Sequence, residues 1–294
     1  MKPLDVLAAI SVAVIWGMGF VVAKAGMSHF SPILLMGLRF TLTAACLLYF
    51  FRPPAALLWQ LFWISLVSAA LQYSLTFNGV RGIDASTAAL LVQLEVPFGL
   101  IMAWLAFGER ISPRQAFGVL IAFAGAVLII GEPKLAGDLV YAFLVIGGAF
   151  TWAVGQIMIK KLGNIGGFRL LSGVALFAAP QLFLASWLFE DHQLEQVQTA
   201  SLAAWAAVIY LGLVMTALGY GLWYRLLGHY DVNQVMPFLL LLPVTSVCAG
   251  IFFLDESLTL KIALGGGMAI AGVALITVQA STSRRPVTGN DGTV

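Results

Sequence analysis

The feature that most limits how this chain can fold is that it is written twice. Displaced by the 147 residues that separate Gly125 from Gly272, and with no gap, Tyr73 falls on Tyr220, Asp84 on Asp231 and Glu109 on Glu256. Ala116 then falls on Ala263, Gly118 on Gly265, Ala122 on Ala269, and Leu128-Ile129 on Leu275-Ile276. Matches among apolar letters come easily, but Tyr, Asp and Glu are scarce here and all three keep register. A period of half the chain marks a duplicated structural unit.

Apolar content says where that unit must live. Hydrophobic residues make up 61% of the 294 residues and charged ones 10%, against roughly 25% charged in a soluble domain. A globular chain must still clothe its exterior, and this one has too few polar residues to do so. A bilayer removes the difficulty. A spanning helix needs about 20 mostly apolar residues, and ten runs qualify: Val6–Ala23, Pro32–Phe51, Leu58–Phe77, Thr87–Phe107, Ala116–Ile130, Leu139–Ile159, Phe168–Phe189, Leu202–Leu222, Val235–Leu254 and Ile262–Val278. The fifth is short, so its ends are expected near the interface or in a thinned bilayer. The first reads as a membrane helix rather than a cleaved signal, because no cleavage pattern leads into a soluble domain. Tight connections rich in Gly, Pro, Asn and Ser join the runs. The polar tail, residues 281–294, is expected to be a disordered cytoplasmic segment.

Orientation follows from the basic residues. With the N-terminus in the cytoplasm, Lys2, Arg52, Arg110, Arg114, Lys160, Lys161, Arg169, Arg225, Arg284 and Arg285 lie inside, and Lys24, Arg81, Lys134 and Lys261 outside. Both termini are therefore expected in the cytoplasm. Five helices per copy is an odd number, so the second copy enters the membrane upside down. The expected fold is all-α and integral to the membrane: ten transmembrane helices as two inverted five-helix repeats, 1–131 and 132–280, around a central cavity. Inverted repeats are a signature of secondary transporters, with the substrate site at the repeat interface.

Other classes are excluded or weakened. The net charge of +2, without a basic run, gives nucleic acid nothing to grip. No Gly-x-x-x-x-Gly-Lys-Ser/Thr motif supplies ATP, so energy must come from a gradient. No cofactor, metal or catalytic residue is expected. The partners expected are a small-molecule substrate and the lipid bilayer, with the protein a monomer or a homodimer. No Asn-x-Ser/Thr acceptor occurs, which fits a bacterial inner membrane. Cys46 and Cys248 lie within apolar runs and read as small buried hydrophobes.

The motifs bear a family likeness. Trp16-Gly17, Lys24, Pro32 and Arg39 open the first copy, echoed by Trp152 and Lys160 in the second. Tyr73, Phe77-Asn78-Gly79, Ala85, Ala88-Ala89 and Pro97 follow, then Phe107-Gly108-Glu109-Arg110, Gly118 and Gly125. Over essentially its whole length the chain resembles the drug/metabolite transporter superfamily in its ten-helix branch of two EamA domains. The second copy departs from the pattern at Phe253-Leu254-Asp255-Glu256, where Ser257 replaces the arginine. The resemblance implies a basket of helices around a central cavity and export of small metabolites. Its look is closest to bacterial exporters of aromatic amino acids.

Candidate cavity residues are polar or aromatic groups inside the spans. Glu95 is the acidic residue deep in a helix, where a charge is costly and usually functional. It suits substrate-amine recognition or proton coupling; a hydrogen-bonded structural carboxyl is the alternative. Gln72, Tyr73, Asn78 and Gln93 are the polar minority of the third and fourth spans, with Tyr220, Trp223 and Tyr224 at the end of the eighth. Tyrosines can equally anchor in headgroups. Trp16 and Trp152 lie within their helices, and Gln156 sits one turn past Trp152 on the same face. Pro97, Pro180 and Pro243 are hinge candidates, since each removes a backbone hydrogen bond. Lys24, Arg39 and Lys160 are read as snorkelling from helix ends, and Glu109 and Glu256 as anchors at the membrane surface. Two rivals remain. An intramembrane enzyme would need Ser172 beside a base, yet His29, His192 and His229 all fall in connections. A static channel fits an inverted repeat less well than alternating access.

Overall fold

The computed structural model describes residues 1–132, 135, 137–230 and 232–277; the 281–294 tail and Asp231 lie outside them. Among these residues the secondary structure is helical throughout. Ten spanning elements appear in the expected order. They are α1 (Pro3–Gly26), α2 (Pro32–Leu47), α3 (Leu58–Ser65, Leu66–Leu71, Gln72–Gly82), α4 (Ala85–Val92, Glu95–Phe107) and α5 (Pro113–Ile130). The second half holds α6 (Leu139–Leu162), α7 (Gly167–Phe189), α8 (Leu202–Ile209, Tyr210–Leu218, Gly219–His229), α9 (Met236–Leu240, Leu241–Leu254) and α10 (Leu260–Thr277). A short surface helix, Gln193–Gln198, joins α7 to α8.

The expected short span was α5, and the structure corrects this. Pro113 at the first helical position and a reciprocal cap between Ser112 and Gln115 start it one turn early, because Pro and a capping box both suit the first turn. The shorter spans are α2 and α9.

The inversion is visible where α5 and α10 cross. Gly118 meets Gly272 and Gly125 meets Gly265, so one residue number falls as the other rises and the two helices run antiparallel. A Cβ on Gly125 would stand 2.5 Å from the Gly265 carbonyl oxygen, and one on Gly272 2.5 Å from that of Gly118. These two crossings exchange under the sequence repeat, as a two-fold axis in the membrane plane requires. The same axis relates α3 on α6 to α8 on α1, and α7 packs on α2 across it.

Two irregularities repeat as well. The middle of α3, Leu66–Leu71, is π-helical, and so is Tyr210–Leu218 in α8. The helix of α4 breaks at Gln93-Leu94, and α9 passes from a 3₁₀ turn to α-helix at Leu240-Leu241. Displaced segments of this kind re-aim side chains and are common at functional sites. Each of the four contributes residues to one cavity: Ser68 and Ala69, Gln93, Met215 and Thr216, and Leu239 and Leu240.

The outer surface is as apolar as the sequence requires. Trp59, Trp63 and Trp187 are exposed, whereas Trp205 turns inward, its ring 5.6 Å from that of Phe30. Cys46 is half-buried and Cys248 exposed. Cys248 is thus not the buried residue expected, because its face of α9 points outward.

Candidate functional site

A cavity of two lobes, about 220 and 380 Å³, lies between the repeats. The larger falls within the roughly 300–1,000 Å³ usual for small-molecule sites. Trp16, Arg39, Tyr73, Trp152, Tyr220 and Leu239 line both lobes and form their common wall. The first lobe adds Gln72, Gln93 and Glu95, and the second adds Gln156 and Trp223. The second lobe is lined by Ile159, Leu170 and Leu171, close in sequence to Lys160, Lys161 and Arg169. The cavity therefore runs toward the basic end of the molecule.

Local structure explains how these groups come together. The π segment of α3 ends one residue before Gln72, and the break in α4 falls between Gln93 and Glu95. The polar side chains beside these interruptions, Gln72, Tyr73, Gln93 and Glu95, line the cavity. Trp16 donates from Nε1 to the Met215 carbonyl, 3.1 Å away within the π segment of α8. Its ring centroid lies 5.0 Å from Tyr220 and 5.8 Å from Trp223, so an aromatic cluster bridges the repeats.

Two sequence expectations change, at Asn78 and Pro180. Asn78 does not line the cavity; its Nδ2 donates to the Ser74 carbonyl 2.8 Å away on its own helix. The side chain of Tyr224 lies outside the described residues. Pro180 sits in a helix that continues unbroken through it, whereas Pro97 and Pro243 occupy first turns just after the interruptions of α4 and α9.

Sequence reasoning misplaced Arg39. It stands mid-way along α2, 1% exposed, and does not snorkel. Its Nε donates to Thr216 Oγ1 at 3.1 Å and its Nη2 to the Tyr73 hydroxyl at 3.3 Å. Thr216 Oγ1 itself donates to the Leu211 carbonyl, five residues back in the π pattern, which turns its lone pair toward the guanidinium. The Tyr73 ring lies 4.7 Å from the guanidinium carbon, within cation–π range. The available signal was the position of Arg39 inside an apolar run, the same signal that picked out Glu95.

The other expected surface residues also have specific partners. Lys24 donates to the carbonyls of Val80 and Ile83 at the C-terminal end of α3, where a cation is favoured. Lys160 pairs with Glu109 over the Phe107 ring. Glu256 is not a surface anchor: it is 8% exposed and accepts from the backbone N–H groups of Ala85 and Ser86 at 2.6 and 3.0 Å. Ser172 donates to the carbonyls of Phe51 and Arg169, a helix-end contact with no base in reach among the described residues.

The EamA-like transporter family matches residues 4–131 and 139–278. The chain belongs to that family. The two matched stretches of this EamA-like transporter cover its two five-helix halves. It is 33% identical over 282 residues to the "Probable amino-acid metabolite efflux pump" of Salmonella typhimurium, covering 92% of each chain. The Escherichia coli protein of the same name is 32% identical, over 92% of this chain and 93% of that one. The "Probable terminal-alkyne amino-acid exporter" of Streptantibioticus cattleyicolor is 26% identical, over 74% and 72%. A solved crystal structure superposes with TM-score 0.62 at 18% identity, covering 95% of this chain and 98% of the other; that likeness concerns the fold. The protein is a multi-pass membrane transporter and not an enzyme.

Proposed function

We propose that this EamA-like transporter exports neutral amino acids, aromatic ones among them, and related small metabolites by alternating access. The observation that carries the reading is the cavity between the inverted repeats, with Trp16, Trp152, Tyr220 and Trp223 around polar groups from α3 and α4. Aromatic walls suit an apolar or aromatic side chain, and the polar groups suit its charged end. The efflux names carried by relatives of similar length support the direction. In this reading residues 1–131 and 132–280 are the two repeats, both termini are cytoplasmic, and the basic end faces the cytoplasm.

Glu95 takes the substrate ammonium or exchanges a proton for it; Pro97 and Pro243 flank the bends that alternate. The transport step interchanges the arrangements of the two ends. Glu109 then moves from Lys160 to the short helix Val232–Val235 that precedes α9, the repeat counterpart of the start of α4 that Glu256 occupies. Proteoliposome uptake of labelled tryptophan, phenylalanine and leucine, with and without a pH gradient, tests the reading. Saturable uptake that unlabelled aromatic amino acids compete away is the expected result. Absence of uptake for every amino acid would overturn the substrate assignment and turn attention to other metabolites and drugs. Glu95→Gln with unchanged rate and pH dependence would remove Glu95 from its role.

A further inference from the structure

A buried cation needs an anion, and Arg39 lacks one. Its polar partners are neutral: Thr216 Oγ1, the Tyr73 hydroxyl and, 3.8 Å from Nη1, the Met36 sulfur. Among the described residues no carboxylate lies within ion-pair distance of it. Burying a guanidinium without a counter-charge is expensive unless a ligand supplies one. A guanidinium has five N–H donors in a fixed fork. Nε and one hydrogen of Nη2 are used, and Nη1 faces only a weak sulfur acceptor, so a pair of donors is left. Arg39 lines both lobes of the cavity, so it borders the space that a bound molecule would fill.

A second observation comes from the same cavity. Gln72, itself 5% exposed, donates from Nε2 to Thr76 Oγ1 at 3.2 Å, while its Oε1 is buried with no hydrogen-bond partner. The cavity thus holds donors awaiting an anion and an acceptor awaiting a donor, and Glu95 adds a carboxyl. A ligand that completes all three carries an anionic group and an N–H group at one end.

We infer that Arg39 is the anchor for the substrate carboxylate, and that this contact selects α-amino acids and related carboxylates over decarboxylated amines. The inference rests on the reading of the cavity as the substrate site and names the group that is recognised there. Arg holds carboxylates with two parallel hydrogen bonds, a geometry that Lys does not reproduce. Thr216 and Tyr73 orient the fork: one lies within the π segment of α8 and the other two residues past that of α3, so both irregular segments serve the anchor.

The test is calorimetric binding to the detergent-purified full chain, wild type, Arg39→Gln and Arg39→Lys, each with an unfolding curve. The probes are phenylalanine, 3-phenylpropionate, which keeps the carboxylate, and phenethylamine, which keeps the amine. Wild type should bind phenylalanine more tightly than phenethylamine by roughly 10- to 150-fold, the value of hydrogen bonds to a charged group. Arg39→Gln should erase that ratio while leaving phenethylamine affinity in place. Arg39→Lys should recover part of it, and decides the matter if the glutamine variant does not fold.

Equal wild-type affinities for phenylalanine and phenethylamine would overturn the anchor while leaving the exporter reading intact. So would variants that weaken both ligands alike, which is what a merely structural arginine would do. Binding of 3-phenylpropionate that depends on Arg39, with no binding of phenylalanine, would keep the anchor and defeat the amino-acid reading. Failure of every carboxylate to bind the folded wild type would overturn both.

Discussion

Glu109 and Glu256 are the same residue of the repeat, yet they keep different company at opposite ends of the molecule. Glu256 is buried and holds the first two amides of α4. Glu109 is about half exposed and holds a lysine side chain of α6. Around Glu256 the end is closed by further carboxylates that accept from backbone amides and hydroxyls. Glu190 accepts from the Ile33 and Leu34 amides and from the hydroxyls of Ser31 and Ser186, and Glu132 accepts from Thr259. Around Glu109 the pairs are exposed and the cavity runs that way. Two copies of one sequence thus stand in two arrangements, one fastened and one loose. The axis between them, at the glycine crossings of α5 and α10, is shared and symmetric.

The contrast can be broken or sharpened by substitution, starting where the effect should be largest. Gly118→Val and its repeat mate Gly265→Val each drive a side chain into the opposing helix, where a Cβ already stands 2.7 Å from a carbonyl oxygen, and overpacking of this kind costs about 3 kcal/mol. Because the crossings are repeat mates, their unfolding midpoints should fall by similar amounts; a large difference would deny the axis its symmetry. Glu190→Ala leaves two α2 amides without an acceptor and should lose about 2 kcal/mol in denaturant titration. A loss no greater than that of an exposed substitution would mean water replaces the carboxylate.

Glu256→Gln comes next, at about 1 kcal/mol, since an amide oxygen still accepts but its charge at a helix N-terminus is gone. Glu109→Gln should change stability least, by roughly 0.5 kcal/mol or less, because exposed ion pairs contribute little. In proteoliposomes the order should invert for Glu109, whose loss should slow transport out of proportion to its effect on stability. An unaltered transport rate in Glu109→Gln would confine that residue to the surface pair seen here and defeat the exchange of ends.

Much of this was legible in the residues, for physical reasons. Apolar runs long enough to span a bilayer leave the backbone no choice but helix, so the ten spans appeared in order. The repeat was legible at Gly118 and Gly125 because the two crossings of α5 and α10 both need a residue without a Cβ. Trp16, Tyr73, Glu95, Trp152 and Tyr220 stood out as polar or aromatic groups inside spans, and all line the cavity. Asn78 stood out for the same reason but satisfies itself within its own turn. Arg39 was misread because a basic residue several positions from a helix end can snorkel or point inward, and only the packing of α2 against α3 and α8 decides which. Cys248 fails similarly, since a helix with apolar residues on every face carries no signal of which face is inside.

By itself, then, the sequence determined the helices, their number, their duplication and, through the odd count per copy, their inversion. These depend on local hydropathy and on register along one chain. Tertiary structure decided the π segments of α3 and α8, the breaks of α4 and α9, the burial of Arg39 and the different partners of Glu109 and Glu256. Those depend on which surfaces meet across the bundle, and one sequence repeated in two orientations leaves that choice to the packing.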